Sequence, residues 1–503
     1  MSASAQSRPI GSHPVVLLVG AALVLGLGFA VVMVEKHALF ALFGVIFFAI
    51  FLRKPVLGFY VTTALLLLSG SSGVIGFLDE SATVAVTLAK LCGMAALGAW
   101  AINMVARKLE FKANATVTFL LLFLAWALLC TVLSNAIEQT WPEWVRLATL
   151  VGYFLLGINT VNTPHKLHFL IVLLLLCGVM MSAVAVVQVL LPQYQLAGAE
   201  AWRSLGAVDA AYVDQESLQG EAAVRASGRA GHSNWLAMII LLILPLNSYW
   251  YSVAQRRLFK NLILVMVVVM LTTLVLTYTR TGFLIGVVLA VLMLTRRLVR
   301  LTPMRIFGGM LALVIAYTML PGAYKERVFS PKQYTRSESV QARVQLQESA
   351  LAYSVQNPVL GLGMGGFGVE FIHENNPTAQ LMEFMVVRQF WHPVFIGTHN
   401  MYLELTSNTG LPGLLFFVCF YITMMRYLHR EERRFIEEGD TQGEALASAL
   451  MVSLVGFILC AVFLHALTQK IWWMIAVAAV VIPLYHMNFH GRVTVKESLP
   501  HLE

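Results

Sequence analysis

Long, uninterrupted apolar runs recur along nearly the whole chain, and this repetition constrains the fold more than any other feature. Many of the runs approach the roughly 20 residues that a helix needs to cross the hydrocarbon core of a bilayer. The runs are continuous rather than alternating, which favours helices over a β-barrel. Of the 503 residues, 58% are hydrophobic and 12% are charged, which is unlike a soluble globular chain. We therefore predict an all-α, polytopic integral membrane protein.

The apolar runs divide into about fourteen predicted spans, with about twelve as the lower bound. The predicted spans are 14–34, 38–52, 56–69, 84–106, 117–133, 147–161, 167–191, 235–253, 259–278, 281–295, 306–320, 411–425, 446–467 and 471–487. Two long polar stretches, 192–233 and 321–410, interrupt the series. They separate an N-terminal group of helices (1–191), a central group (234–320) and a C-terminal group with a tail (411–503).

Lysine and arginine are distributed unevenly between the short connections, and this asymmetry predicts the orientation of the chain. Seventeen of these residues fall in one set of connections and four in the alternate set. Because positively charged loops are retained in the cytoplasm, both termini are predicted to be cytoplasmic. The two long polar stretches then face outward, and the chemistry is expected there.

Nucleotides and nucleic acids are poor candidates as ligands. The glycines of "GLGMGGFG" (361–368) match the dinucleotide fingerprint, but that motif requires a preceding strand and a following phosphate-binding helix. The stretch before it is helical in character until Asn357 and Pro358. These glycines are expected to allow a tight turn or the close approach of a ligand. The net charge of +8 is explained by the cytoplasmic connections, so no nucleic-acid partner is predicted.

Basic residues gather near the predicted outward ends of the spans. Arg280 lies between two apolar runs with almost no loop, where a charge is costly and usually faces a cavity, although a snorkelling arginine is the alternative. Arg225, Arg229 and Arg343 are either further ligands or solvated charges, and Lys90 could add a point charge. Because guanidinium forks suit phosphate oxygens, their convergence predicts an anionic ligand, with a lipid-linked diphosphate as the natural candidate.

Four segments carry a resemblance to a known family. They are "RASGRAGHSNWLA" (225–237), "YTRTGFL" (278–284), "NPVLGLGMGGF" (357–367) and "THNMYLELTSNTGLPG" (398–413). In this order and spacing they resemble the O-antigen ligase and O-antigen polysaccharide polymerase superfamily of bacterial envelope enzymes. Ser233 stands where that family often has proline. The resemblance is strong over the second half of the chain, whereas the first half matches only as a set of apolar spans.

The resemblance implies a fold, a reaction and a set of site residues. It implies a GT-C-like membrane enzyme with two periplasmic loops, located in the bacterial inner membrane. Such an enzyme moves a glycan from undecaprenyl diphosphate to an acceptor hydroxyl without a metal, a nucleotide sugar or another cofactor. By the same resemblance, Arg225 and Arg280 hold the diphosphate and His399 lies near the acceptor.

His399 is the candidate general base of this reaction. A sugar hydroxyl that attacks an anomeric carbon must lose a proton, and a neutral histidine is suited to accept it. The alternatives are that His399 only positions the acceptor, or that it is a structural residue at a helix start. Asn400 is expected to cap the helix or orient the site, and Glu404 to fix the imidazole tautomer from one turn further along.

Three functions agree with these features. The first is a polymerase that joins lipid-linked repeat units, the second a ligase that transfers finished glycan to a lipid A core, and the third a transporter or flippase. Charges cluster at the outer face and no internal repeat is visible, which disfavours a transporter. Two long outer loops, with Trp202, Tyr212 and Trp391 available to stack on sugars, favour the polymerase. The expected partners are the lipid-linked glycan donor, the glycan or lipid A-core acceptor, membrane lipids and other polysaccharide assembly proteins.

Overall fold

The computed structural model describes residues 38–68, 88–107, 111, 114–190, 225–230, 232–298, 318, 338–375 and 397–484. Fourteen α-helices and no strand occur among these residues. The helices are α1 (Ala38–Arg53), α2 (Pro55–Leu68), α3 (Leu88–Arg107), α4 (Ala115–Val132), α5 (Ile137–Thr160), α6 (Pro164–Leu190), α7 (Ser233–Val253), α8 (Arg257–Leu276), α9 (Arg280–Thr295), α10 (Glu338–Gln356), α11 (Gly366–Asn375), α12 (Met401–Glu438), α13 (Thr441–Ala461) and α14 (Lys470–Val480). The all-α prediction is confirmed.

Six of the described helices are long and apolar enough to cross a membrane, and they are α4, α6, α7, α8, α12 and α13. Five shorter apolar helices accompany them, namely α1, α2, α3, α9 and α14. Each of these eleven helices coincides with a predicted span, and α5 contains another. The predicted span 14–34 lies outside the described residues, as does nearly all of 306–320. The chain is thus a multi-pass membrane protein.

Two helices begin earlier than hydropathy predicts. Helix α5 begins at Ile137 rather than at 147, and α12 begins at Met401 rather than at 411. The first turns of both helices are polar, so an apolar window misses them. In α12 these polar residues are packed against the helix α10, where Ser354 donates a hydrogen bond to the Thr406 hydroxyl at 3.1 Å. The predicted outer stretch 321–410 therefore contains α10, α11 and the first turns of α12.

Helix α12 is broken at Gly410, and the glycine-rich segment packs against the break. Gly410 has φ +65° inside the helix. The backbone of Leu411 donates to the Pro358 carbonyl at 2.8 Å, and Gly363 donates to the Asn408 carbonyl at 2.9 Å. A Cβ on Gly361, which has φ +65°, would lie 2.5 Å from the Asn408 backbone. The predicted end of α10 at 357 is confirmed, and these glycines serve close backbone packing of two segments.

The C-terminal helices form the aromatic centre of the bundle. Trp472 and Trp473 of α14 are fully buried, and Trp472 stacks on Phe457 of α13 at 4.4 Å between ring centroids. Both indole N–H groups donate to the carbonyl of Leu467, at 3.0 and 2.9 Å. Buried donors need partners where water is absent, so this one carbonyl fixes the turn that joins α13 to α14.

Candidate functional site

The segment before α7 is anchored to its neighbours through Arg225. The Nε of Arg225 donates to the Thr277 carbonyl at 3.2 Å, and Nη2 makes a longer contact of 3.5 Å with Oδ1 of Asn234. The amide of Ala226 donates to the Leu276 carbonyl at 2.9 Å, which extends the same pairing along the backbone. Arg225 is therefore fixed to the end of α8, immediately before the turn that carries Arg280.

Arg280 is the first residue of α9. The turn that precedes it places Tyr278 at φ +50°, a left-handed conformation that is uncommon for a bulky residue. A Cβ on Gly282 would lie 2.2 Å from Oγ1 of Thr279, so only glycine fits this close to the turn. The N-terminus of a helix carries a partial positive charge and attracts anions. Thus the turn from Thr277 to Arg280 combines a helix N-terminus with two arginines.

His399 lies on a second unusual turn, directly before α12. Its φ is +53°. The hydroxyl of buried Thr398 donates to the Asn400 carbonyl at 2.6 Å and accepts from the Asn400 amide at 3.1 Å, so it holds the backbone on one side of His399. Asn400 is the N-cap, because its Oδ1 accepts from the amides of Tyr402 and Leu403 at 3.0 and 3.2 Å. The predicted capping role of Asn400 is confirmed.

The surroundings of His399 favour a neutral imidazole. Burial, and then the nearby Arg343 and His232, lower the pKa of His399 to about 4. Its Nδ1 atom is buried and has no hydrogen-bond partner within the described part of the chain. At pH 7 the ring is therefore neutral. Arg343, on α10, acts electrostatically on the candidate base itself.

Glu404 does not fix the imidazole of His399 as expected. The expectation required both residues to lie on one helix face, but α12 begins only at Met401 and His399 has a left-handed backbone. Oε2 of Glu404 is buried and has no hydrogen-bond partner among the described residues. The carboxyl group interacts electrostatically with Glu143 and Arg146 of α5. Glu404 thus connects the start of α12 with α5.

His465 joins the site from a part of the chain that the sequence analysis did not select. It lies between α13 and α14, and its ring meets the His399 ring with 5.6 Å between centroids and 68° between planes. It also meets Trp235 of α7 at 4.8 Å and 82°. The only local signal was a polar residue in the apolar run "VFLHAL" (462–467). Arg146, Glu143 and His232 were also not selected as site residues.

Five other residues with predicted roles have side chains that the structure does not describe. The side chains of Arg229 and Lys90 lie outside the described part of the structure, and so do Trp202, Tyr212 and Trp391. Their predicted roles therefore stay predictions. No group of three histidine, cysteine or carboxylate residues that could hold a metal ion occurs within the residues that the structure describes.

A small cavity adjoins the arginine turn. It is lined by α7, α9, the end of α13 and the residues just after α13, including Asn234, Thr281, Gly282 and Leu464. Asn234 is a contact of Arg225, Thr281 follows Arg280, and Leu464 precedes His465. The cavity therefore lies where the segments that carry the two arginines approach the segment that carries His465.

The fold and the site define a multi-pass membrane protein in which basic residues and histidines converge on helix ends. Residues 265–418 match the model of the O-antigen ligase family. This finding confirms the resemblance to the O-antigen ligase and polymerase superfamily over that segment. The matched segment contains Arg280, Arg343, His399, Asn400 and Glu404, whereas Arg225 precedes it. No curated protein matches the chain.

Proposed function

We propose that this protein is a membrane glycosyltransferase that moves a glycan from undecaprenyl diphosphate to an acceptor sugar hydroxyl at the periplasmic face of the inner membrane. The family match supports an activity of the O-antigen ligase or polymerase type. The identity of the donor, the identity of the acceptor and the periplasmic location of the reaction are parts of our proposal. The transfer needs no metal, nucleotide sugar or other cofactor.

The hydrogen bond between Arg225 and the Thr277 carbonyl is the observation that carries the proposal. It holds one arginine on the turn from which Arg280 starts α9. Two guanidinium groups and a helix N-terminus suit a diphosphate, which carries its charge on several oxygens. A leaving diphosphate gains negative charge as its bond to the sugar breaks, and preorganised donors stabilise that charge by several kcal/mol, about 3 for a single donor.

His399 takes the acceptor proton in the proposed reaction. The acceptor oxygen attacks the anomeric carbon, the bond from that carbon to the diphosphate oxygen breaks, and the diphosphate leaves with the electron pair. The hydroxyl proton passes to the imidazole of His399, whose Nδ1 is buried and has no partner within the described residues. Arg343 and His232 oppose this protonation. A bound diphosphate would offset the charge of Arg343, so the base would strengthen when the donor is present.

Glu404, with Arg146 and Glu143, lies on the acceptor side in this scheme. The three residues interact electrostatically, and one Glu404 oxygen has no hydrogen-bond partner in the described ranges. A carboxylate of this kind can accept a hydrogen bond from a sugar hydroxyl. Glu404 would then orient the acceptor, and Asn400 would contribute by fixing the start of α12.

We favour a polymerase, in which the acceptor is another lipid-linked repeat unit. The length of the stretches 192–233 and 321–410 supports it, because two outer loops give room for a growing chain beside an incoming unit. The ligase is the second candidate, since the matched family carries the description of O-antigen ligase. Other polysaccharide assembly proteins are expected partners of either enzyme.

The envelope glycan of a deletion strain tests the proposal. A polymerase is expected to leave single repeat units on the acceptor, whereas a ligase would leave full-length chains on the lipid carrier. The deletion is complemented with wild type, with His399→Ala and with His373→Ala as the matched control, because His373 is exposed on α11. His399→Ala is expected to give the glycan of the deletion strain. A wild-type glycan from that variant at normal abundance would remove His399 as the base.

A further inference from the structure

We infer that His465 is a positioning residue, which holds the His399 imidazole by ring packing in the orientation that accepts the proton. The inference rests on the proposed function, in which His399 is the base. His465 lies outside the segment that matches the family. No role for it follows from the resemblance or from the sequence pattern.

His465 is enclosed by three groups that fix its ring. Its ring contacts the His399 ring at 5.6 Å and the Trp235 ring at 4.8 Å between centroids, at steep angles of 68° and 82°. A Cβ on Gly397 would lie 2.8 Å from Nδ1 of His465, so the backbone just before His399 lies directly against this ring. Aromatic rings prefer such edge-to-face contacts. The rings of His399, His465 and Trp235 thus pack edge to face in a series, with His465 in the middle. We call this series the column.

The column links the two halves of the proposed site. Trp235 is on α7, and its neighbour Asn234 contacts Arg225 at 3.5 Å. His399 lies before α12, on the turn held by Thr398. His465 therefore packs between Trp235, whose neighbour contacts Arg225, and His399, the proposed base. Small displacements of a reacting group reduce rates strongly, by up to about 100-fold for 1 Å.

Electrostatics keep the His465 ring uncharged, which suits a packing role. The groups that face His465 are His399, Arg146 and His232, and His399 in turn faces Arg343 and His232. Burial and these groups lower the pKa of His465 to about 3. A ring that stays neutral at pH 7 packs against His399 without adding a positive charge. Its contribution is then to orient the His399 ring, while Thr398 fixes the His399 backbone.

Two substitutions of His465 separate packing from chemistry. His465→Phe keeps a ring in the column but removes both nitrogens, whereas His465→Ala removes the ring. Full-length protein in lipid nanodiscs is treated with diethyl pyrocarbonate, which modifies neutral imidazole, and modification of His399 is followed by mass spectrometry. His465→Ala is expected to speed modification of His399 about tenfold, because the ring that covers it is gone. His465→Phe is expected to stay within about threefold of wild type.

Transfer kinetics of the same proteins provide the second readout. With lipid-linked glycan as donor, His465→Ala is expected to lower kcat by about 10- to 100-fold with a KM that changes little. His465→Phe is expected to keep most of the activity. If the phenylalanine variant is as inactive as the alanine variant while His399 is modified at the wild-type rate, the imidazole itself is needed and the inference is overturned. Wild-type values for the alanine variant in both readouts overturn it as well.

Gly397→Ala provides a variant in which His465 remains. The new methyl group would press on Nδ1 of His465, so a slower kcat and faster modification of His399 are expected, as in His465→Ala. His373→Ala is the control for loss of an exposed histidine. A different result would contradict the proposed function itself: full transfer by His399→Ala would show that His399 is not the base. The modification rates of the His465 variants would still decide whether His465 orients the His399 ring.

Discussion

Nε of Arg225 donates a hydrogen bond to the carbonyl oxygen of Thr277, three residues before Arg280, at 3.2 Å. The two arginines lie far apart in the sequence, and this contact brings them to one turn. The turn itself depends on Tyr278 at φ +50° and on the absence of a side chain at Gly282. A diphosphate site at this position would therefore be preorganised by the backbone rather than assembled from flexible side chains.

Arg280→Lys is expected to lower glycan transfer about 100-fold although it keeps the charge. A lysine provides a single ammonium group, whereas the arginine fork can bind two phosphate oxygens together. Loss of a preorganised donor to the leaving group costs about 3 kcal/mol, or about 100-fold in kcat. Arg257→Lys is the matched control, because Arg257 is likewise the first residue of an apolar helix and is exposed. Normal glycan assembly by Arg280→Lys would remove Arg280 from the site.

The acid limb of kcat/KM is expected at unusually low pH. A base must be neutral in the free enzyme, and burial, with Arg343 and His232, lowers the pKa of His399 to about 4. Activity should therefore persist below pH 6.5, the usual range of histidine, and fall as the pH approaches about 4. Arg343→Gln removes one cation and should move the limb to higher pH. A wild-type limb at about pH 6.5 would contradict the burial of a neutral imidazole.

The same pKa values predict how stability varies with pH. His399 and His465 have lowered pKa values in the folded protein, about 4 and about 3. As the pH falls below about 6.5, the unfolded chain binds protons at these histidines before the folded protein does. Stability is therefore lost as the pH falls from about 6.5 to about 3, and it is present above that window. Thermal unfolding in nanodiscs should show a steeper loss for wild type than for the double variant His399→Ala and His465→Phe.

Gly410→Ala is expected to destabilise the protein much more than Gly439→Ala. Both glycines have positive φ, at +65° and +73°. A methyl group at Gly410 would lie 2.0 Å from the Val359 carbonyl oxygen, whereas nothing lies within 4 Å of a methyl group at Gly439. Backbone strain alone costs about 1 kcal/mol, so Gly439→Ala should lower the unfolding temperature only slightly. Equal unfolding temperatures for the two variants would contradict the close packing at the break of α12.

Local sequence patterns predicted the helices and part of the site, for identifiable reasons. Apolar windows locate spans because the bilayer requires them, and "THN" was expected at a helix start because Asn400 is a favoured cap. The link between Glu404 and His399 was wrong because helical spacing was applied across a residue with φ +53°. His465 was missed because ring packing between distant segments leaves no periodic signal. The approach of Gly410 to Val359 is likewise a tertiary contact.

The proposed chemistry depends on the orientation of the chain in the membrane. The stretches 192–233 and 321–410 should face the periplasm, because the connections around α8, α9 and α12 carry most of the arginine and lysine. Single cysteines at Ser217 and Thr378 should react with a membrane-impermeant thiol reagent in cells with a permeable outer membrane. A cysteine at Glu437, exposed near the C-terminal end of α12, should react only after the inner membrane is opened.

The native cysteines should contribute little background to this experiment. Cys92, Cys130, Cys177 and Cys460 are buried, and Cys419 is half-buried in α12. The unmodified protein therefore provides the blank, and replacement of Cys419 by serine provides a second one. Reaction of Ser217→Cys and Thr378→Cys only from the cytoplasmic side would reverse the orientation. His399 and Arg280 would then face away from periplasmic lipid-linked glycan, and the proposed transfer reaction would be untenable.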